Sequence, residues 1–250
     1  MTSPSQKRIE AKGTGSRTLE IFSGTPRLNR WMFSKFERRV RGDVLEIGSG
    51  VGNMSALLRE RAEHLVVTDV EHEYIEQLRA DYATDPRVTV ARFDLDAPPP
   101  PEVAERSYDA IVAINVIEHV ADDVGAMRRL ARLLKPSGHL LIYVPALPLI
   151  FGSLDDALGH HRRYTKRTLS ALARSADLDV VEGPRYMNAL GVGGWFVQGR
   201  VLRRERLDPA QVALFERLVP LVRLEDHLPL PFGLGVIIHA QARGGASTRR

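Results

Sequence analysis

The sequence has no cysteine among its 250 residues, which excludes disulfides, thiolate zinc sites and cysteine nucleophiles. No apolar run approaches the ~18–20 residues of a membrane-spanning helix. The first 18 residues, MTSPSQKRIEAKGTGSRT, are polar and basic without an apolar core. They predict a flexible leader rather than a signal peptide. We therefore expect a cytoplasmic protein without stable membrane insertion.

Lysine is scarce among the 35 basic residues, and the net charge is only +4. The basic residues are scattered along the chain, so no nucleic-acid partner is expected. The hydrophobic fraction of 44% is sufficient to form a full core in a chain of this length. These features favour a single domain, present as a monomer or a homodimer.

Strand and helix patterns alternate along most of the chain. The predicted strands are 43–47, 64–68, 88–93, 108–114, 139–144, 179–187 and 235–242. The predicted helices are 26–39, 54–61, 71–81, 122–134, 165–176 and 209–224. Such alternation predicts an α/β fold with a doubly wound parallel sheet and helices on both faces. The expected organisation is an N-terminal helical cap (26–40), a core (41–187 and 234–243) and a helical insertion (188–233), with a long loop at 145–164.

The first strand runs into a glycine-rich turn in the stretch VLEIGSGVGN. Asn53 stands where a dinucleotide fingerprint would have its third glycine, and no P-loop lysine follows. The carboxylate of Glu46, at the mouth of this turn, would repel a pyrophosphate and attract an ammonium or a sulfonium. The stretch therefore predicts an adenosine ligand that carries positive charge.

Polar residues also stand at the ends of later strands. Asp69 lies about 20 residues past the glycine turn, at the position where an acid can accept hydrogen bonds from ribose hydroxyls. Asp94 ends the third strand, and a polar segment, 115–119, follows the fourth. Ligands of open α/β sheets bind at these carboxyl ends, so the series predicts a site.

Five blocks together resemble the class I S-adenosylmethionine-dependent methyltransferases over about residues 40–145. They are VLEIGSGVGN, VVTDVEHEYIEQL, RFDLD, YDAIVAINVIEHVADD and LLKPSGHLLIYVP. The resemblance implies a seven-stranded sheet whose antiparallel last strand lies between the fifth and the sixth. It also implies S-adenosylmethionine as the cofactor.

The same resemblance implies a role for each residue of the motifs. Glu46 would lie near the methionyl amine, and Asp69 would hold the ribose hydroxyls. Asn115 would lie beneath the sulfonium end. The residues implied to approach the cofactor through their backbone are Gly48, Ser49, Gly50 and Gly52. Those implied to contact the adenine are Val70, Asp94 and Leu95.

Methyl transfer requires alignment of donor and acceptor, and a general base only when a proton must leave the acceptor early. His119, after the fourth strand, is one candidate, with capping of the next helix as its structural alternative. His160, His161 and Tyr164 lie in GHHRRYT, where they would contact or deprotonate an acceptor. The alternative is a loop held to the fold by these side chains. No spacing of histidines and carboxylates indicates a metal site.

The insertion carries the stretch ALGVGGWFVQGRVLRRERL, which is apolar and then basic. It would cover the acceptor pocket, form a dimer surface, or associate weakly with a membrane surface. The first interpretation is the one we expect.

The acceptor is expected to be a small molecule of bacterial secondary or cofactor metabolism, methylated on O, N or C. The stretch NVIEHV replaces the N-P-P-[YF] or D-P-P-Y motif of nucleic-acid amino methyltransferases. The alternatives are a peptide or protein N-terminus as acceptor, a non-catalytic adenosine-ligand-binding protein of the same fold, and a nicotinamide oxidoreductase.

Overall fold

The computed structural model of the chain describes residues 24–243, so the predicted leader at 1–18 lies outside the described residues. A seven-stranded sheet of order β3-β2-β1-β4-β5-β7-β6 forms its centre. The strands are β1 (Asp43–Ile47), β2 (His64–Asp69), β3 (Val88–Arg92), β4 (Tyr108–Ile114), β5 (Leu134–Pro145), β6 (Leu178–Met187) and β7 (Gly235–Ala242). Strand β7 pairs antiparallel with both β5 and β6, which confirms the predicted fold class and the place of the last strand.

Helices cover both faces of this sheet. They are α1 (Pro26–Phe33), α2 (Asn53–Arg59), α3 (His72–Asp81), α4 (Pro101–Ala104), α5 (Asp123–Leu133), α6 (Ser153–Leu158), α7 (Lys166–Ser175), α8 (Ala189–Phe196) and α9 (Pro209–Val222). A π-helix, Val197–Val201, continues α8, and a 3₁₀-helix, Arg223–His227, continues α9. Among the helices of residues 24–243, none combines the length and apolar character that a bilayer crossing requires.

The central strands are apolar on both faces because the core lies on both sides of the sheet. In β1, Leu45 packs into one buried cluster, and its neighbour Val44 packs into the other. In β4, Ile111 and Val112 divide between the two clusters in the same way. The period-two alternation of side chains therefore fixes the register of these parallel strands.

The first and the seventh helix show how side chains set helix boundaries. Thr165 caps α7, and its hydroxyl accepts a hydrogen bond from the Thr168 amide. The first predicted helix is shorter than expected. It ends at Phe33, and the hydroxyl of Ser34 donates to the Trp31 carbonyl. A serine bonded to this carbonyl competes with continuation of the helix.

The prediction of a continuous loop over 145–164 is wrong. A 3₁₀-helix, Pro148–Ile150, and the six-residue helix α6 occupy part of it. Asp155 lies in the first turn of α6 and accepts a hydrogen bond from the Gly152 amide. The short helix depends on this contact and on tertiary contacts of Asp155, which no local sequence pattern reveals.

The N-terminal helix is joined to the insertion. Trp31 is fully buried, and its indole nitrogen lies 3.0 Å from Oδ2 of Asp226, which also pairs with Lys35. Glu216 of α9 accepts hydrogen bonds from the first amides of α1. These contacts fix α1 against α9 at the edge of the core.

The contact between Gly235 of β7 and Tyr143 of β5 generates a stability prediction. A Cβ at position 235 would lie 2.1 Å from the Tyr143 Cζ, so the buried ring must move. We expect Gly235→Ala to lower the free energy of unfolding by about 1–3 kcal/mol, measured by urea denaturation. Gly183→Ala is the control, because a Cβ on this exposed glycine of β6 meets nothing within 4 Å. Equal stability of the two variants would contradict the close approach.

Candidate active site

The turn after β1 has a backbone that favours glycine at three positions. Gly48, Gly50 and Gly52 have φ values of 69°, 53° and 85°. These angles lie in the left-handed region, where a side chain is disfavoured. A Cβ at Gly48 would also lie 2.5 Å from Cγ2 of Val116, which follows β4. The turn and the segment after β4 therefore approach each other closely.

Glu46 is buried behind this turn. Its Oε2 accepts hydrogen bonds from the hydroxyls of Ser49 at 2.9 Å and Ser55 at 2.5 Å. Burial raises the pKa of Glu46 to about 7, although both serine hydrogen bonds act to lower it. A carboxylate in this position, once ionised, is set to pair with a cation.

Two residues that the sequence analysis missed hold this arrangement together. Ser55 lies in the first turn of α2 and reaches back to Glu46. Thr68 is the last residue but one of β2, and its hydroxyl donates to the Glu46 carbonyl at 2.7 Å. Its amide donates to the Ser49 hydroxyl at 3.2 Å. The sequence contained one indication of both residues. Each is a small polar residue at a position where a buried strand or the inward side of a helix would otherwise carry an apolar one.

Asp69 joins the glycine turn to the start of α3. Its Oδ2 accepts from the Gly50 amide at 2.8 Å, and its Oδ1 accepts from the Glu71 amide at 2.9 Å. Burial raises the pKa of this carboxyl. Each oxygen keeps a second lone pair for a hydroxyl donor. The carboxylate is therefore held in place with capacity to bind a ligand.

The predicted adenine contacts lie at the ends of the neighbouring strands. Val70 is 41% exposed beside Asp69, which provides an apolar surface. Asp94 accepts from the Asp96 amide at 2.9 Å, and Leu95 between them is buried. The residues predicted to bind the cofactor thus lie in the last two positions of β1 and β2 or just after β1, β2, β3 and β4, along one edge of the sheet.

The segment after β4 places two predicted site residues at the surface and one carboxyl inside. Asn115 is exposed with a φ of 52°, and His119 is exposed as well. Glu118 is fully buried, and neither carboxylate oxygen has a hydrogen-bond partner among residues 24–243. Burial raises the pKa of Glu118 to about 8. The ring of His119 meets the ring of His160 edge to face, with centroids 4.8 Å apart.

Asp155 is the centre of the loop region after β5. Its Oδ1 lies 2.8 Å from Nδ1 of His160 and accepts from Nε of Arg163 at 2.7 Å. Its Oδ2 accepts from the indole of Trp195 in α8. Burial acts to raise the pKa of Asp155, but the His160 and Arg163 contacts hold it below its usual value. The carboxylate therefore ties α6, the GHHRRY loop and the insertion together.

The four predicted catalytic side chains separate into different environments. His119 and His160 meet in one cluster. His161 is exposed, and its amide donates to the Glu118 carbonyl at 2.8 Å. The buried Tyr164 hydroxyl donates to Asp123 of α5 at 2.9 Å, which is a contact to the fold.

A cavity of about 600 Å³ lies between the start of α6 and the π-helix of the insertion. Its lining residues are Phe151, Gly152, Ser153, Asp156, Phe196, Gly199, Arg200, Val201 and Arg203. Two phenylalanines and a valine supply apolar surface, and the arginines supply positive charge. The volume lies within the range of ~300–1,000 Å³ that is typical of small-molecule sites.

The geometry agrees with comparisons to known proteins. Residues 21–183 match the family model described as a methyltransferase domain. A probable S-adenosylmethionine-dependent methyltransferase of Mycolicibacterium smegmatis is 27% identical over 206 residues, covering 76% of this chain and 77% of that protein. The squalestatin hexaketide synthase of a Phoma species is 30% identical over 115 residues, which are 42% of this chain and 4% of the synthase. A Haloferax volcanii methyltransferase, solved in complex with the Trm112 methyltransferase activator, superposes with a TM-score of 0.63 at 16% identity, covering 95% of this chain and 97% of that one.

The buried carboxyl of Glu46 generates a pH prediction. The folded-state pKa of about 7 lies above the ordinary glutamate pKa of 4.5, so the folded state binds the proton more tightly. The resulting stability is fully present below about pH 4.5 and is lost as the pH rises through about 7. We expect the unfolding free energy of wild type, relative to Glu46→Gln, to fall by roughly 3 kcal/mol over this window in urea titrations.

Glu60→Gln serves as the control, because Glu60 follows α2 on the surface. Its difference from wild type should stay within about 0.5 kcal/mol throughout. A Glu46→Gln difference that does not change between pH 4.5 and 8 would contradict the burial argument.

Proposed function

The chain belongs to the S-adenosylmethionine-dependent methyltransferases, and we propose that its acceptor is a small molecule with an apolar body and an anionic group. The observation that carries this proposal is the cavity beside α6, with its apolar wall and two arginines. Because the chain belongs to this family, the glycine turn is no longer interpreted as the dinucleotide site of a nicotinamide oxidoreductase.

The residues at the strand ends fit S-adenosylmethionine, which supplies a methyl group on a positively charged sulfur. Glu46 would hold the methionyl ammonium, because a buried carboxylate gains most from an adjacent cation. Asp69 would accept from the ribose hydroxyls with its remaining lone pairs. Asn115, exposed after β4, would lie at the sulfonium end.

The remaining contacts would hold the adenosine. The left-handed glycines of the turn leave its backbone open to close approach, and the Ser49 hydroxyl holds Glu46. Val70 and Leu95 would pack against the adenine, with Asp94 accepting from its amino group. We propose these roles for the same positions that the resemblance implies.

The acceptor would approach from the side of His119. Val116, in the same segment, lies against the glycine turn, so this segment borders the methyl-donor site. His119 is exposed and contacts His160, which is held by Asp155. Asp155 also holds Gly152, which lines the cavity. A continuous chain of contacts therefore joins the methyl-donor site to the cavity.

The insertion supports an acceptor with a large apolar part. Helix α8 has no buried residue, and its last residue, Phe196, is exposed. Val197, Val201 and Leu202, which follow it, are exposed as well. An apolar ligand that binds here would bury this exposed apolar surface. The similarity to part of a hexaketide synthase supports a carbon-rich natural product as acceptor.

Binding of the methyl donor tests the assignment of Asp69. Asp69→Ala removes charged hydrogen bonds to the ribose, each worth about 1.5–3 kcal/mol. We expect calorimetry to show S-adenosylmethionine affinity at least tenfold weaker. Asp81→Asn, at the exposed end of α3, is the control and should bind as wild type does. Unchanged affinity in Asp69→Ala would remove the residue from the site.

Methyl transfer itself tests the acceptor class. We expect S-adenosylmethionine with a labelled methyl group to label fractions of small acidic lipophilic metabolites. With the labelled acceptor, Arg200→Ala should raise KM about tenfold at similar kcat, since a lost contact to an anion weakens binding. Arg217→Ala, exposed on α9, is the control.

Label found only on peptide or protein N-termini would overturn the proposal. Absence of turnover with every acceptor class, despite donor binding, would favour a non-catalytic protein.

A further inference from the structure

Three side chains after β4 and β5 meet in a group that the function described above does not explain. Glu118, His119 and His160 each offer one ligand atom, and these atoms all lie within 4.8 Å of one another. In a tetrahedral zinc site with bonds of about 2.1 Å, neighbouring ligand atoms lie about 3.4 Å apart. An inward movement of at most about 1.4 Å between the ligand atoms would therefore bring all three to bonding distance.

The carboxylate of Glu118 lacks a partner. Both of its oxygens are buried without a hydrogen bond among the described residues. The nearby guanidinium of Arg163 is already bonded to Asp155 and to the Ala146 carbonyl. A buried carboxyl group without partners is costly, so groups of this kind in native proteins pair with a cation or another donor.

The two histidines are arranged to complete the set. His160 has its Nδ1 2.8 Å from Asp155, which leaves Nε2 as the ligand nitrogen. A carboxylate behind a ligating histidine fixes its tautomer and orientation, and it is a common partner at metal sites. Asp155 is itself fixed by Arg163 and Trp195. His119 faces the same point from the segment after β4.

We propose that Glu118, His119 and His160 bind one divalent transition-metal ion. Two imidazoles and one carboxylate suit zinc, iron, cobalt or manganese, whereas magnesium and calcium prefer all-oxygen sets. Three protein ligands leave a coordination position open, and the exposure of His119 gives solvent access to it. The site joins the end of β4 to the loop before α7.

Metal binding to the full chain tests this proposal without any methyl acceptor. After dialysis against a chelator, the wild-type protein is titrated with Co²⁺ and with Zn²⁺ and followed by calorimetry and by visible Co²⁺ absorption. We expect one equivalent to bind, with affinity at least tenfold weaker in Glu118→Gln and in His119→Ala. His72→Ala is the control, since His72 forms an exposed histidine–glutamate pair with Glu76 on α3.

Two results would overturn the site. One is the absence of saturable one-to-one binding to the wild type. The other is binding by the folded variants as tight as that of the wild type. X-ray absorption of the wild-type zinc complex provides a readout that does not depend on the variants, and it should count two imidazole ligands. A count of zero or one rejects the site, whatever the outcome of the methyl-transfer experiments.

Discussion

The parallel pairing of β1 with β4 determines where this protein can bind its ligands. Leu45 pairs with Ile111 and Ile47 with Ala113, so both strands end at the same edge. From this pair the chain proceeds to β2 and β3 on one side and to β5 on the other. The loops leaving the two strands therefore diverge and form a crevice, which is the usual ligand position in such sheets. The two loops begin side by side, since a Cβ on Gly48 would lie 2.5 Å from Cγ2 of Val116.

Two buried acids flank this crevice, and they are compensated in different ways. Glu46 is stabilised by two serine hydroxyls and would gain a ligand cation when the methyl donor binds. Within the part of the chain that the structure describes, Glu118 has no such donor, and it lies beside two imidazoles. A buried carboxyl lowers stability unless partners compensate it, so both acids are candidates for contact with a ligand. Under the two proposals, Glu46 would pair with positive charge on the methyl donor, and Glu118 would pair with a metal ion.

The region after β5 is organised around Asp155. A single carboxylate receives contacts from Gly152, His160, Arg163 and Trp195, so it connects a helix, a loop and the insertion. This arrangement positions the cavity wall and holds His160 in a defined orientation. Helix α8 contacts Asp155 through Trp195, and none of its residues is buried. The region after β5 thus combines the polar network around Asp155 with an exposed apolar surface on the insertion.

The sequence by itself determined the strands and the glycine turn, and it singled out Glu46 and Asp69 as candidates, because hydrophobic alternation, glycine and charge are visible within a few residues. The place of β7 between β5 and β6 was implied by the resemblance to a known family, and the strand pairing confirms it. Only the tertiary structure showed helix α6, the serine support of Glu46 and the Asp155 network. It also brought His160 to Glu118 and His119, from a loop 41 residues further along the chain. Contacts between distant segments depend on how loops pack at the sheet edge, and no local pattern of residues encodes that packing.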